Sequence, residues 1–214
     1  MMKLYHIFYF LLHLFNAEVN ASIQEREIGN REVVYTRWGK SMCPSHAKLV
    51  YSGYTAGGHY THPGAAVDPL CLPTDPSGGS LKGGFDGHKG LVYGTEYETA
   101  SFKENIYFNA LHDHDVPCAV CLAQNKSVLK MFPARKSCYE GWSLEYEGYL
   151  MAGNYRHPAG KTYTCVDKKP ETIHGGHANN DGYLFYFVEA VCGSLKCPPY
   201  VQGRELTCAV CSKM

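Results

Sequence analysis

Apolar and polar positions alternate with a period of two in several short segments of the chain. Residues 49–54 and 144–149 place apolar or aromatic side chains between small or polar ones, which is typical of half-buried strands. Residues 91–97 and 183–188 predict two further strands, the second with a nearly continuous apolar run. No segment shows a convincing amphipathic-helix pattern. The sequence therefore predicts an all-β protein.

The longest apolar run lies near the N-terminus. Lys3 precedes an apolar stretch over 4–15, and Val-Asn-Ala at 19–21 places apolar or small residues where a signal peptidase reads the chain. The stretch is shorter than the roughly 18–20 apolar residues of a membrane-spanning helix. Residues 1–21 are therefore predicted to be a secretory signal peptide, and no membrane span is expected.

All 10 cysteines follow the predicted signal peptide. A secreted chain with an even number of cysteines is expected to oxidise them in pairs, so these should form disulfides and leave no free thiol. Secretion also makes Asn125, in the sequon Asn125-Lys126-Ser127, a candidate glycosylation site. The cysteines are Cys43, Cys71, Cys118, Cys121, Cys138, Cys165, Cys192, Cys197, Cys208 and Cys211.

An internal repeat organises the mature chain. Residues 43–63 align without a gap with residues 138–158, and nine of the 21 positions are identical. The sequence Cys-Ala-Val-Cys occurs at 118–121 and again at 208–211. We therefore expect two tandem pseudo-repeats that form two disulfide-stapled β lobes. The predicted organisation is a signal peptide (1–21), a short N-terminal segment (22–32), repeat one (33–122), a connector (123–127) and repeat two (128–214).

Two stretches interrupt the strand pattern. Residues 73–90 contain six Gly and two Pro, which exclude regular structure, and residues 167–182 occupy the corresponding place in repeat two. Both are predicted to be long loops. A recognition function would place its ligand contacts there.

Composition narrows the function classes. Lys and Arg together number 20, as do Asp and Glu, so the formal net charge is +0. Nucleic-acid binders usually carry a strong basic excess, so no nucleic-acid partner is expected. Hydrophobic residues make up 45% of the chain and charged residues 19%. The chain therefore has enough apolar side chains to form a buried core. Partner contacts should therefore depend on shape and aromatic surface rather than on long-range attraction.

The two Cys-Ala-Val-Cys motifs allow more than one chemistry. A Cys₄ zinc site is one interpretation, but export to an oxidising compartment favours structural disulfides. Within a strand, the two cysteines of such a motif point to opposite faces, so each is expected to reach a different upstream cysteine. The residues alone leave the connectivity open, because four cysteines allow three pairings.

Histidines supply the other patterns that resemble metal sites. In the stretch His112-Asp113-His114-Asp115, a strand would place the two imidazoles on one face and the two carboxylates on the other, so a loop or structural role is favoured. His174 and His177 lie in a predicted loop. His62 and His157 each precede Pro in the two repeats, which favours a structural turn. We therefore expect no metal site and no cofactor.

A search for catalytic groups gives no recognised motif. Ser, His and Asp are all present, but a Gly-x-Ser-x-Gly elbow is absent from the sequence. The paired carboxylates Glu145 and Glu147, like Glu96 and Glu98, follow strand-like alternation and are expected on a solvated face. The protein is therefore expected not to be an enzyme.

Several short motifs together resemble a known domain. Cys43-Pro44-Ser45, the following 48–54 and the Cys-Ala-Val-Cys at 118–121 resemble the carboxy-terminal non-collagenous domain of type IV collagen, which is itself a tandem duplication. A closer resemblance, over nearly all of 33–213, is to the carboxy-terminal domain of short-chain, spongin-type collagens. The motifs that carry it are Tyr35-Thr36-Arg37-Trp38-Gly39, His59-Tyr60-Thr61-His62, Leu111-His112-Asp113-His114-Asp115, Gly182-Tyr183-Leu184-Phe185-Tyr186-Phe187 and Arg204-Glu205-Leu206-Thr207-Cys208.

The resemblance implies a nested set of disulfides within each repeat. It implies a further local bridge in repeat two, which repeat one lacks. The implied pairs are Cys43–Cys121, Cys71–Cys118, Cys138–Cys211, Cys165–Cys208 and Cys192–Cys197.

The resemblance also implies a function. Such domains associate with one another, so the resemblance implies a secreted extracellular-matrix protein, for example of a skeletal or shell matrix, that self-associates or binds other matrix proteins. No Gly-X-Y run is present, so the sequence has this module without a collagen triple helix. The alternative is a soluble secreted module that recognises glycans or microbial surfaces.

Overall fold

The computed structural model describes residues 31–79, 84 and 87–214. The predicted signal peptide and most of the short N-terminal segment lie outside the described residues. All regular structure in the described part is β, as predicted. The strands are β1 (Glu32–Trp38), β2 (Ala47–Gly57), β3 (Leu70–Pro73), β4 (Tyr93–Tyr97), β5 (Pro117–Gln124), β6 (Val128–Pro133), β7 (Ser143–Ala152), β8 (Thr164–Asp167), β9 (Tyr183–Phe187) and β10 (Thr207–Lys213).

Strands β1 to β5 and strands β6 to β10 pair in the same pattern, and we call these two sets the first and second halves. In the first half, β5 lies antiparallel between β1 and β2, and β2 also pairs with β3 and β4. In the second half, β10 lies between β6 and β7, and β7 also pairs with β8 and β9. The registers correspond, since Gly53 faces Cys118 and Gly148 faces Cys208.

A glycine is required at the same place in both halves. A Cβ atom on Gly53 would lie 1.8 Å from the carbonyl oxygen of Leu72, and one on Gly148 would lie 1.7 Å from that of Val166. No side chain fits at such a distance from backbone, so only glycine allows β3 and β8 to approach β2 and β7. This explains the glycine that recurs in the aligned segments of the sequence.

The two halves close into one ring of strands. β4 and β9 pair in parallel, and β1 meets β8 in parallel where Trp38 faces Val166. The seven strands β7, β8, β1, β5, β2, β4 and β9 follow one another around a closed barrel, because β9 also pairs with β7. β3 extends the sheet from β2, and β10 with β6 extends it from β7. Each half therefore contributes strands to a single body.

Two apolar clusters fill this body. In the first, the rings of Tyr35 and Tyr146 stack at 6.2 Å between centroids, close to buried cysteines of both halves. The second lies beside the parallel pair of β4 and β9, and it is built mainly of aromatic rings. Its buried members are Tyr97, Phe108, Val116, Met151, Val166, Tyr183 and Phe185.

Five disulfides join the strands, and no free cysteine occurs among the described residues. They are Cys43–Cys121, Cys71–Cys118, Cys138–Cys211, Cys165–Cys208 and Cys192–Cys197, which are the pairs that the resemblance implies. In each Cys-Ala-Val-Cys motif the two cysteines reach different upstream partners. In each half, one of these two disulfides therefore lies on one face of β5 or β10, and the other lies on the opposite face.

The predicted strands over 49–54, 91–97, 144–149 and 183–188 correspond to β2, β4, β7 and β9. The described part of the chain contains no helix with the length and hydropathy that a membrane crossing requires.

The expectation that the paired carboxylates lie on a solvated face is wrong for one member of each pair. Glu96 is 1% exposed and Glu145 is 4% exposed. Glu96 is buried where β4 meets β9, and the backbone N–H of Asn180 donates to it at 2.9 Å. The register of β7 against β10 shifts between Val210 and Cys211, opposite Glu145. A bulge of this kind turns a side chain away from the alternation that the sequence predicts.

Candidate functional site

The stretch His112-Asp113-His114-Asp115 is a turn and not a strand. The backbone of Asp113 has φ 61°, so the alternation of faces that a strand would impose does not apply. The Nδ1 atom of His112 lies 3.5 Å from Glu98 Oε2. The Nδ1 atom of His114 instead lies 2.9 Å from the carbonyl oxygen of His112. The two imidazoles therefore have different surroundings.

The loop histidines of the second half are His174 and His177. The ring of His177 lies 6.3 Å from that of His114, measured between centroids, and both His174 and His177 are exposed. This places His177 near the turn of the first half. The structure does not bring His174 into the groups of potential metal ligands found among the described residues.

His62 and His157 occupy equivalent turns. The backbone N–H of His62 donates to the carbonyl of His59 at 3.1 Å, and that of His157 donates to Asn154 at 3.0 Å. Burial lowers the pKa of His157 below its ordinary value. Its ring packs against Tyr60 at 4.6 Å between centroids, which favours a neutral, structural imidazole.

A polar cluster contains Ser, Glu and His but lacks the order of a catalytic triad. Ser212 Oγ donates to Glu145 Oε1 at 2.5 Å, and His46 Nε2 lies 3.1 Å from Glu145 Oε2. The carboxylate stands between the hydroxyl and the imidazole, so the histidine cannot take the serine proton directly. Ser212 is also completely buried. This cluster therefore serves to satisfy the buried Glu145.

An open groove of about 590 Å³ lies in the second half. Tyr155 and Tyr163 stand at it with 85% and 60% of their surfaces exposed. Rings held in this way offer flat apolar faces at low entropic cost. Among the described residues that line the groove, none comes from the glycine-rich stretch 73–90 or from the loop 167–182. The lining includes Asn154, Tyr155, His157, Lys161, Tyr163, Tyr186 and Glu189.

Lys161 lines this groove, and its ammonium group has a defined position. Its Nζ lies 4.2 Å from the centroid of the Tyr183 ring and donates to the carbonyl of Gly58. Burial lowers the pKa of Lys161 below its ordinary value. The groove therefore combines aromatic faces with polar groups that have defined positions, which is the usual composition of a small-molecule site.

Two strands present open edges within the described sheet. β3 pairs only with β2, and β6 pairs only with β10. Leu70, at the start of β3, is 53% exposed, and Val67 just before it is 47% exposed. An open edge with apolar side chains is a template for pairing with another chain.

The candidate glycosylation site is accessible. Asn125 is exposed in the turn between β5 and β6, with φ 57°. A side chain in this position can accept a glycan without disturbing the strands on either side.

The sequence pointed to the histidines of these turns but not to the residues that surround them in the structure. The groove, the open edges and the proximity of Glu98 to His112 depend on contacts between distant segments. A comparison of the chain with models of known protein families finds no family that matches it.

Proposed function

We propose that this chain is a secreted structural protein of the extracellular matrix that self-associates. It would be a tandem duplication similar to the carboxy-terminal domain of short-chain collagens, without the triple helix. Five intramolecular disulfides are typical of extracellular proteins and support secretion. In this proposal the protein is a building element and performs no catalysis.

The strand registers support the duplicated architecture. The disulfide from β3 to β5 has its counterpart between β8 and β10. The disulfide from Cys43, before β2, to β5 has its counterpart in the one from Cys138, before β7, to β10. In both halves a register shift interrupts the pairing of β2 with β5 and of β7 with β10, between Leu49 and Tyr51 and between Val210 and Cys211. Two unrelated lobes would have no reason to share these irregularities.

The observation that carries self-association is the open edge of β3. Its backbone groups have a strand partner on one side only, and Leu70 and Val67 place apolar surface beside them. A second copy can satisfy both features by pairing along this edge.

Light scattering of the non-reduced mature protein at micromolar concentration tests this proposal. We expect an oligomer, and we expect Leu70→Glu to weaken association at least about ten-fold because it places a charge in the interface. Ile106→Glu is the matched control, since Ile106 is 80% exposed and belongs to neither edge strand. A wild-type monomer, or equal effects of the two substitutions, would contradict the proposal.

The groove beside Tyr155 favours a second candidate function, the recognition of glycans. Saccharides stack on exposed tyrosine rings and hydrogen-bond to amides and carboxylates such as those of Asn154 and Glu189. A glycan array tests it. Sugar-inhibitable binding should be lost in Tyr155→Ala and kept in Tyr139→Ala, which alters another exposed tyrosine outside the groove. No binding by the wild type would eliminate this candidate.

A further inference from the structure

Five side chains with metal-ligating atoms meet where the two halves join. Glu96 belongs to β4 and Glu98 follows it, whereas Asp181 lies two residues before β9, the parallel neighbour of β4. His112 and Asp113 form the turn before β5. The backbone N–H of Asp113 donates to the carbonyl of Tyr97 at 2.9 Å, which fixes this turn against β4. We call this group the carboxylate–imidazole cluster.

The distances in the cluster suit a shared ion. His112 Nδ1 lies 3.5 Å from Glu98 Oε2 and 3.4 Å from Asp113 Oδ1. The ligating atoms of Glu98, His112 and Asp113 all lie within 4.8 Å of one another, and so do those of Glu96, Glu98 and Asp181. Glu98 therefore belongs to both groups. Ligands held about 2.0–2.1 Å from a tetrahedral zinc ion lie about 3.3–3.4 Å apart.

Three polar atoms of the cluster are buried without a hydrogen-bond partner. They are Nδ1 of His112, Oδ1 of Asp113 and Oε2 of Glu96. Glu96 is 1% exposed, and the ligating atoms around it belong to Glu98 and Asp181. Buried polar atoms are nearly always paired, so three unpaired atoms in one place indicate a missing partner. The partner must interact with an imidazole nitrogen and with carboxylate oxygens at the same time.

The charges of the cluster indicate that the partner is a cation. None of the ion pairs between described residues gives these carboxylates a Lys or Arg partner. Several carboxylates that share one site without a cation repel one another. A bound cation would remove this repulsion.

The second half provides an internal comparison for the turn. Gly203 has φ 69° and donates its N–H to the carbonyl of Ala190 at 2.8 Å, as Asp113, with φ 61°, does to Tyr97. The same left-handed turn is thus formed with glycine in one half and with aspartate in the other. Glycine adopts this conformation without penalty, whereas a side chain there is less favourable and requires a reason.

The ligands themselves are absent from the second half. The bridge between Glu96 and Asp115 corresponds to the one between Glu189 and Glu205, which fixes the alignment of this region. By this alignment the positions of Glu98, His112 and Asp113 are occupied in the second half by Val191, Gln202 and Gly203. The backbone conformation of the turn therefore does not depend on the proposed ligands. Of the two halves, only the first has Glu, His and Asp at these three positions.

We propose that Glu98, His112 and Asp113 bind a zinc ion, with Glu96 and Asp181 as the neighbouring carboxylates that complete or support the site. The imidazole nitrogen favours zinc over calcium or magnesium, which prefer oxygen ligands alone. His112 is 39% exposed at its side chain, so an ion can enter from solvent. The ion would fix the turn before β5 to the end of β4 and to the approach to β9. It would thereby stabilise the contact between the two halves.

Calorimetric titration of the EDTA-dialysed mature protein with zinc chloride tests this site, with bound zinc measured by mass spectrometry after desalting. We expect one zinc ion per chain. His112→Gln and Glu98→Gln should each weaken binding about 100-fold or more, because each removes a ligand. At zinc concentrations about 100-fold above Kd, the Tm of the wild type should rise by about 5 °C or more, and that of the variants should not.

Two further variants keep the test decisive. His174→Gln alters an exposed histidine outside the cluster and should bind zinc like the wild type. Asp113→Gly gives the first half the residue of the second, so it should fold normally and yet lose zinc affinity. Far-ultraviolet circular dichroism of each variant verifies folding.

Three results would overturn the proposal. The first is a wild type that binds no zinc, which would mean that shared protons neutralise the cluster. The second is zinc binding that His174→Gln abolishes and His112→Gln leaves intact. The third is tight calcium binding that is insensitive to His112→Gln, without zinc binding, which would assign the site to carboxylates alone.

Discussion

In each half the chain leaves the sheet and returns to it through a connecting segment, which we call the excursion. The two halves stabilise the excursion by different physical means. In the first half the chain leaves the sheet after β4 and returns before β5 with Phe108 completely buried. In the second half it leaves after β9 and returns before β10, and there the disulfide Cys192–Cys197 closes it. The backbone frame is common, because Tyr97 donates to the carbonyl of His114 and Ala190 to that of Arg204, both at 3.0 Å.

The difference shows that the same backbone arrangement can be stabilised in two ways. Phe108 packs edge-to-face against Tyr149 and Phe187 at 5.5 and 5.0 Å between centroids, so aromatic burial holds the excursion of the first half. The bond between Cys192 and Cys197 spans a sequence separation of 5 and limits the excursion of the second half covalently. The first excursion should therefore be sensitive to cavities and the second to reductant.

The largest effect is expected from Phe108→Ala. Removing a fully buried ring leaves a cavity in the aromatic cluster, so the free energy of unfolding should fall by about 3–5 kcal/mol. Urea unfolding without reductant measures this change. Ile106→Ala, in the same excursion and 80% exposed, should change the free energy by less than about 0.5 kcal/mol. Equal effects would show that aromatic burial does not hold this excursion.

Arg37→Ala tests an ion pair between the two halves. Arg37 Nη2 lies 2.7 Å from Asp167 Oδ2, and the side chain of Asp167 is only 5% exposed. Without Arg37 this buried carboxylate is unpaired, so the free energy of unfolding should fall by about 2–3 kcal/mol. Chemical unfolding at neutral pH measures the loss. In Arg37→Ala/Asp167→Asn much of the stability should return, and if it does not, the loss comes from packing.

The double substitution Cys192→Ser/Cys197→Ser removes the bond that only the second half has. The chain-entropy estimate for so short a loop is a loss of about 2 kcal/mol in the free energy of unfolding. Thermal unfolding of variant and wild type, both non-reduced, measures it. Cys71→Ser/Cys118→Ser opens a longer loop, of separation 47, and should lower the Tm more. The reverse order would show that native-state packing outweighs loop closure.

The smallest effect is expected from Glu171→Gln, and it depends on pH. Burial alone would raise the pKa of Glu171, but hydrogen bonds from Lys40 and Ser41 outweigh it and lower the pKa below its ordinary value. A lowered folded-state pKa stabilises the protein above the unfolded-state pKa, and this stabilisation is lost as the pH falls through the folded-state value.

Wild type and Glu171→Gln should therefore differ at pH 7 and converge in acid. The carboxylate is 42% exposed, so the difference at pH 7 should stay below about 1 kcal/mol. Paired unfolding curves from pH 7 down to pH 2 measure it. A difference that grows in acid would contradict the assigned sign.

Sequence patterns predicted β2, β4, β7 and β9 but missed the fully buried strand β5. Residues 49–54 and 144–149 alternate in sequence and lie in β2 and β7, but burial does not follow the alternation, because Leu49 and Tyr54 are exposed and Glu145 is buried. Cys118 to Cys121 show none, since every residue of that stretch is buried. A short, fully buried strand has no polar face, so periodicity cannot identify it.

The candidate metal site was visible in the sequence only in part. His112 and Asp113 attracted notice as potential ligands, but a strand would have separated them. The left-handed backbone of Asp113 brings them together, and Glu98 joins them because β4 ends beside the turn. Neither the turn conformation nor this neighbourhood has a local sequence signal.

The sequence by itself determined the β class, the expectation of two repeats and the requirement for oxidised cysteines. These properties depend on alternation, composition and self-similarity, which are local or additive. Only the tertiary structure decided that the halves close into one ring, that Glu96 and Glu145 are buried, and that the carboxylate–imidazole cluster exists. Each of these depends on contacts between segments far apart in the chain, and the energies of such contacts leave no periodic pattern in the residues that make them.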